Sequence, residues 1–167
     1  MSYKLKEADL RVINTYLKSL NDSKKDFSTR SKSKIGKLAH YIWWFKNYNL
    51  QKFCIIKNKK QLIFFWYKKV ILKKKKYFFS GWWPINKIRI DDIFFVTRKL
   101  ISLSKDHDHI ALISRNNKFS IKLHHYFKFK KVKEHGKEYN KILKLVNHDN
   151  IRKKKTIARY TVMIKKR

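Results

Sequence analysis

The sequence predicts an α+β protein of the ferredoxin-like split βαβ class, with the order strand, helix, strand, strand, helix, strand. Two observations lead to this fold class. Apolar residues recur at helical spacing near both ends of the chain, and β-branched or aromatic runs fill the rest. Hydrophobic residues make up 43% of the 167 residues, which is enough for a core. We therefore expect a single domain over residues 1–167.

The N-terminal part is expected to begin with a short strand at Tyr3–Lys6. An apolar stripe through Leu10–Leu20 predicts the first helix, with Asp9 as its N-cap or first-turn acid. The polar stretch Asn21–Ser33 indicates a loop, and Lys34–Asn47 is expected to hold a second helix. These elements precede the most basic part of the chain.

Residues Asn49–Phe79 consist of short aromatic and β-branched runs separated by lysines, which predicts strands joined by basic turns. Gly81–Pro84 then marks a break in the chain. We expect an extended strand over Ile85–Thr97, with its partner at Ile110–Ile113 and Lys118–Phe129. The polar segment between these strands would form the turn of a long hairpin.

The C-terminal part completes the predicted order. A helical stripe over Tyr139–Val146 predicts the second core helix, and Thr156–Ile164 predicts the last strand. The expected core is therefore residues 1–20 and 77–167, with a basic, aromatic-rich insertion after the first helix at about 21–76.

Charge is the strongest compositional signal. The chain has 44 Lys and Arg against 11 Asp and Glu, a net charge of +33. A free compact domain of that charge repels itself, so we expect a polyanionic partner. The single Cys54 excludes an internal disulfide and a cysteine-based zinc site. Apolar runs fall short of the ~20 residues that span a bilayer, so no membrane span is expected.

Codon usage suggests an origin. Gly (3) and Pro (1) are scarce while residues with AT-rich codons abound, yet there are five Trp. Under a mitochondrial code, Trp also has an AT-rich codon. We therefore expect a mitochondrially encoded protein that stays in the mitochondrial matrix.

Three segments resemble the universal ribosomal protein family ten of the small subunit, which includes NusE. Lys4–Asn14 is similar to the family's R-L-K-x-F-D-H-R-x-I-D signature without a gap. Gly81–Lys87 resembles its G-P-x-P-L-P-T stretch, with one proline retained, and Phe119–His124 resembles its Y-E-I-R-T-H strand. The resemblance covers about two thirds of the chain and leaves out the insertion.

The resemblance implies a structural protein in the head of the mitochondrial small subunit, with ribosomal RNA and neighbouring head proteins as partners. Basic side chains would then neutralise phosphates, and aromatic ones could stack on unpaired bases. The residues expected to bind RNA are Lys4, Lys6, Arg11, Lys87, Arg89, Arg98, Lys99, Arg115, Lys118, Lys122 and His124, with Trp43 and Trp82 as possible stacking residues.

No constellation for catalysis is visible. Asp91 and Asp92 are neighbours that would face apart on a strand, so a turn or capping role is expected. His107 and His109 could share one face, but no cysteine accompanies them and a metal site is not expected.

We accordingly expect no enzyme activity, no cofactor and no small-molecule substrate. The alternatives are another mitochondrial ribosomal protein, a peripheral subunit of a respiratory complex, or a nucleic-acid-cleaving enzyme.

Overall fold

Thirteen elements follow from these runs in a computed structural model, which describes residues 3–23, 34–47, 50–72, 74–85, 88–148 and 160–167. Their bounds are β1 Tyr3–Glu7, a 3-10 turn Leu10–Val12, α1 Ile13–Ser23, α2 Lys37–Lys46, β2 Gln51–Lys57, β3 Lys60–Leu72, β4 Lys75–Pro84, α3 Ile90–Leu103, β5 Asp108–Ser114, α4 Lys118–Tyr126, β6 Lys130–Lys131, α5 Lys137–His148 and β7 Tyr160–Lys165.

The strands form a seven-stranded mixed sheet in the order β1-β2-β3-β4-β5-β7-β6. Strands β4 and β5 are parallel, with Tyr77 opposite Asp108 and Phe79 opposite Ile110. Strands β1 and β2, β2 and β3, β5 and β7, and β6 and β7 are antiparallel. The expected ferredoxin-like split βαβ fold is therefore wrong.

The predicted long hairpin is the source of the error, because both of its arms contain helices. The segment expected as a strand over Ile85–Thr97 begins helix α3 instead. Its apolar residues Ile93, Val96 and Leu100 are buried at spacings of three and four, which is a helical period. Isoleucine-rich runs favour strands by propensity, and here the tertiary contacts of one helical face decide the outcome.

The second arm, predicted as a strand over Lys118–Phe129, contains α4. Asn117 precedes this helix, and its side chain accepts a hydrogen bond from the backbone N–H of Ser120 at 2.9 Å. That is the usual N-cap contact of a helix. Gly81–Pro84, expected as a break, lies inside β4 and continues the sheet.

Other predicted elements are confirmed: the first strand, helices α1, α2 and α5, the strands of residues 49–79, the strand at Ile110–Ile113 and the last strand. Asp9 caps the 3-10 turn that leads into α1, accepting from the backbone N–H of Arg11 at 3.0 Å. Of the predicted loop at 21–33, residues 21–23 end α1 and residues 24–33 lie outside the described part, as do residues 156–159.

The chain divides into two compact units. Unit 1 comprises Met1–Lys68 and Ser80–Ser104. Its core is unusually aromatic, with Tyr16, Trp44, Phe64 and Trp83 all buried. Tyr16 is fully buried at the centre, and its ring lies 4.4 Å from Trp83 and 4.8 Å from Phe64 between centroids.

Unit 2 comprises Lys69–Phe79 and Lys105–Arg167. Strands β5 and β7 pair over six residues, from His109 opposite Lys165 to Ser114 opposite Tyr160. Buried His109 packs edge-on against Phe78 at 4.7 Å and Phe129 at 5.0 Å. The expectation of one domain over residues 1–167 stays a prediction.

Candidate functional site

A pocket of about 200 Å³ lies within unit 1. Its six lining residues come from α1, the segment before α2, α2, β3 and β4, and they are Leu20, Ile35, His40, Trp43, Trp66 and Trp83. We call this site the tryptophan pocket. Three indole rings and two aliphatic side chains make its wall apolar, and His40 is the one titratable residue among the six.

The indole of Trp83 is held by a hydrogen bond. Its Nε1–H donates to the hydroxyl of Ser19 at 3.1 Å, and that hydroxyl donates to the carbonyl oxygen of Tyr16 at 3.0 Å. All three residues are buried. Trp83 therefore has its polar atom satisfied inside the protein and offers the pocket its apolar surface.

The indole of Trp66 is placed by the absence of a side chain at Gly81. A Cβ atom at position 81 would lie 2.9 Å from Cε2 and Nε1 of Trp66 and 3.0 Å from its Cζ2. Real Cβ atoms essentially never approach a neighbour that closely. Glycine is thus required here for the close approach of the indole, and not for a special backbone angle.

His40 is 1% exposed, and its ring chemistry follows from one contact. Its Nε2 lies 3.2 Å from the carbonyl oxygen of Ile13, which can only accept a hydrogen bond. Nε2 therefore carries the proton, and Nδ1 is the ring nitrogen that can accept. Burial lowers the pKa of His40 below its usual value, and the contact with Ile13 opposes this only in part. At neutral pH the ring is uncharged.

A buried lysine stands behind the Trp43 wall. The Nζ atom of Lys52 donates to the carbonyl oxygens of Asn47 at 2.8 Å and Leu50 at 3.2 Å. It also lies 5.1 Å from the ring centroid of Trp44 and 5.9 Å from that of Trp43. Both distances are in the cation–π range, so an ammonium already occupies this side of the indole pair.

A second polar cluster in unit 1 lies at the start of α3. The carboxylate of Asp92 accepts from the hydroxyl of Tyr3 at 2.7 Å, from Nζ of Lys57 at 2.7 Å and from the backbone N–H of Arg89 at 2.9 Å. Burial alone would raise the pKa of Asp92, but these donors hold it below its usual range. The predicted capping role of Asp92 is confirmed, while Asp91 beside it stays exposed.

The residues predicted to bind RNA lie on several elements instead of one hairpin. Lys4 and Lys6 are on β1, Arg11 is in the 3-10 turn, Arg89, Arg98 and Lys99 are at the start of α3 or within it, Arg115 follows β5, and Lys118, Lys122 and His124 are in α4. Lys87 lies outside the described residues. Arg11 is ion-paired with Asp9, and Arg115 with Glu134. A phosphate contact by any of these side chains stays a prediction.

The two tryptophans predicted to stack on bases have different surroundings. Trp43 lines the pocket on α2. Trp82 is half-buried on β4, and its neighbour Trp83, not Trp82, lines the pocket. Sequence reasoning missed His40 and Trp66, whose only signal was their place in aromatic runs. Their contacts join segments far apart in the chain.

Two searches of the described residues concern other kinds of site. They contain no group of three His, Cys, Asp or Glu arranged to hold a metal ion. Within the same residues, no helix has the length and apolar character needed to cross a membrane.

Comparison with solved structures identifies the fold as that of the GNAT N-acetyltransferases. An N-acetyltransferase from Staphylococcus aureus has a TM-score of 0.65 and 18% identity, covering 80% of this chain and 86% of that one. The PaiA N-acetyltransferase from Thermoplasma acidophilum, in complex with coenzyme A, has a TM-score of 0.59 and 13% identity over 100% of both chains. The Campylobacter jejuni N-acetyltransferase PseH, in complex with acetyl coenzyme A, has a TM-score of 0.60 and 14% identity over 99% of both.

At these identities the likeness establishes the fold alone. No family model and no curated protein sequence matches the chain. The comparisons nevertheless overturn several expectations. The resemblance to ribosomal protein family ten is wrong, because the structures that share this fold are N-acetyltransferases. The expected roles in a ribosomal subunit or a respiratory complex are wrong for the same reason.

The expectations of no enzyme and no small-molecule substrate are also wrong. The fold is that of enzymes, and two of the matching structures are complexes with coenzyme A or its acetyl thioester. Ribosomal RNA and neighbouring ribosomal proteins are accordingly withdrawn as the partners.

Coenzyme A carries phosphates, and one position in unit 1 can be tested for them. Helix N-termini attract anions through unpaired N–H groups and the helix dipole. The start of α3 does not fit this role, because two aspartates lie in its first turn. The carboxylate of Asp92 already occupies the position that an anionic ligand would take. We therefore assign no phosphate to this helix.

Proposed function

We propose that this chain is an N-acyltransferase that transfers an acyl group from a coenzyme A thioester to an amine. The observation that carries the proposal is the fold, which matches N-acetyltransferases over as much as the whole length of both chains. A bound thioester would supply an activated acyl carbon and a thiolate leaving group. The acceptor amine is proposed to lie in the tryptophan pocket.

His40 is proposed to be the base for the acceptor. An amine attacks through its lone pair and must give up a proton as its new bond to carbon forms. Nδ1 of His40 can take that proton because Nε2 is held protonated by the carbonyl of Ile13. The apolar wall of the pocket excludes water from this nitrogen. The lowered pKa of His40 keeps the ring in its accepting form at neutral pH.

The test uses the full chain with acetyl coenzyme A and a panel of aliphatic and aromatic amines. Released thiol is measured by a colorimetric reagent and the acylated amine by mass spectrometry. We expect transfer to at least one amine, and we expect His40→Gln to lower kcat by ~10²–10⁴. Gln can still donate to Ile13, so the fold is retained, and this is checked by circular dichroism.

His125→Gln is the matched control, since His125 is exposed on α4. Wild-type activity should fall as the pH drops through the lowered pKa of His40, below 6.5. That dependence should be absent in any residual activity of His40→Gln. A folded wild-type chain that releases no thiol with any amine would overturn the transferase. Full activity in His40→Gln would overturn the role of the base.

A second candidate is a protein of this fold that binds a small molecule without acyl transfer. The observation in its favour is the self-capped start of α3, where Asp91 and Asp92 oppose an anionic ligand. It predicts ligand binding in the tryptophan pocket together with no measurable affinity for coenzyme A. Calorimetric titration of coenzyme A into the folded chain separates the two candidates.

A further inference from the structure

The size of the tryptophan pocket limits its ligand. Its volume is about 200 Å³, whereas pockets for drug-sized ligands run from roughly 300 Å³ upward. An apolar protein cavity of about 150 Å³ is known to bind benzene. The pocket therefore has room for one ring with a small substituent. Its walls are also preformed, because Trp83 is tethered by Ser19 and Trp66 lies against Gly81.

The charges around the pocket select a neutral ligand. None of its six lining residues is Asp, Glu, Lys or Arg. His40 is uncharged at neutral pH, so nothing in the lining pairs with an ion. The ammonium of Lys52 lies 5.9 Å from the Trp43 ring and opposes a second cation beside that indole. Burying an unpaired charge in such a site is costly.

The polar capacity of the pocket is equally narrow. Nδ1 of His40 accepts one hydrogen bond, and Nε1 of Trp83 is already bound to Ser19. A sugar ring would bring several hydroxyl groups into a wall of Leu, Ile and Trp side chains, and most of them would lose water without a replacement partner. One donor on an otherwise apolar ring matches what the lining offers.

We infer that the tryptophan pocket binds a neutral aromatic ring that carries one N–H or O–H donor, of the phenol, indole or aniline class. The ring stacks among the indoles of Trp43, Trp66 and Trp83, and its donor binds Nδ1 of His40. This inference stands without acyl transfer. If the proposed function holds, the ring is the part of the acceptor that the protein recognises.

The test measures binding to the full-length folded chain by ligand-observed NMR and by tryptophan fluorescence. Phenol and fluorobenzene form a matched pair, since fluorine replaces the hydroxyl at similar size and removes the donor. We expect phenol to bind about 3- to 10-fold more tightly, which corresponds to one net hydrogen bond. Benzylammonium and glucose should show no saturable binding. His40→Phe should abolish the preference for phenol over fluorobenzene.

Trp83→Phe and Trp82→Phe provide the control within the protein. The two tryptophans are neighbours on β4, and only Trp83 lines the pocket. Trp83→Phe should weaken phenol binding several-fold, while Trp82→Phe should leave it unchanged. Absence of saturable phenol binding, tighter binding of benzylammonium or glucose, or equal loss in both variants would overturn the inference.

The two proposals fail separately. Phenol binding without thiol release from acetyl coenzyme A removes the transferase and keeps the pocket assignment. Transfer to aliphatic amines alone, with no aromatic binding, removes the pocket assignment and keeps the transferase.

Discussion

Replacing Gly81 by alanine tests whether the aromatic core of unit 1 is as tightly packed as its geometry indicates. The new Cβ would lie 2.9 Å from two atoms of the Trp66 indole and 3.0 Å from a third. Ordinary contacts are 3.4–4 Å, so the ring must shift by about half an ångström or more. The contact is with a rigid ring system that packs against the core, so it cannot be relieved by moving a flexible side-chain end.

The magnitude follows from two opposing effects. Overpacking of this kind costs about 1–3 kcal/mol. Removing a glycine from a strand returns roughly 0.5–1 kcal/mol through the unfolded state. We therefore expect Gly81→Ala to lower the free energy of unfolding by roughly 1–2 kcal/mol. The measurement is urea denaturation at fixed salt, followed by circular dichroism.

Gly36→Ala is the matched control, because a Cβ at position 36 would meet nothing within 4 Å. Gly36 is the N-cap of α2, where alanine is somewhat worse than glycine, and the gain in backbone entropy offsets this to within about 0.5 kcal/mol. In a Trp66→Phe background, the cost of Gly81→Ala should shrink because the clashing indole atoms are gone. An equal cost in both backgrounds, or a Gly81→Ala protein as stable as Gly36→Ala, would refute the packing argument.

Three further outcomes are expected. Asp92→Asn should lower the melting temperature well below that of Asp91→Asn, because Asp92 is buried with three donors and Asp91 is exposed; equal melting temperatures would contradict this. Burial lowers the pKa of His109 from 6.5 to about 3, so from pH 6.5 downward only the unfolded chain gains this proton and stability falls with pH. The loss should be about 2 kcal/mol between pH 6.5 and 5, measured as the difference between the denaturation slopes of wild type and His109→Gln, and equal slopes would contradict it. Burial raises the pKa of Cys54 to about 12, so a thiol reagent at pH 8 should label it only on unfolding, whereas labelling of the native chain at the unfolded rate would be inconsistent with this burial.

Local patterns in the sequence predicted several elements correctly. The apolar stripe after Asp9 is helical, and the lysine-separated runs of residues 49–79 are strands. Such elements agree with their own propensities and could be predicted without the rest of the chain. The segment after Pro84 could not, since its isoleucines favour a strand while the buried face of α3 needs a helix.

The candidate site depended even more on distant contacts. The Trp82-Trp83 pair was recognisable, but on a strand the two side chains face apart, and a pair alone does not say which one faces the pocket. Trp43 was selected for a different ligand. His40 gained its role only when α2 was placed against the carbonyl of Ile13, 27 positions away in sequence. The mitochondrial origin stays a prediction.

The excess of lysine has a consequence at the two margins of the sheet. Strand β1 ends the sheet on one side and β6 on the other. Lys4 and Lys6 are exposed on β1, and Lys130 and Lys131 make up the whole of β6. Unpaired strand edges invite another chain to add to the sheet, and lysines there discourage it by mutual repulsion. Charge that first suggested a nucleic-acid partner therefore also protects this aromatic-rich chain from self-association, and that protection weakens as salt rises.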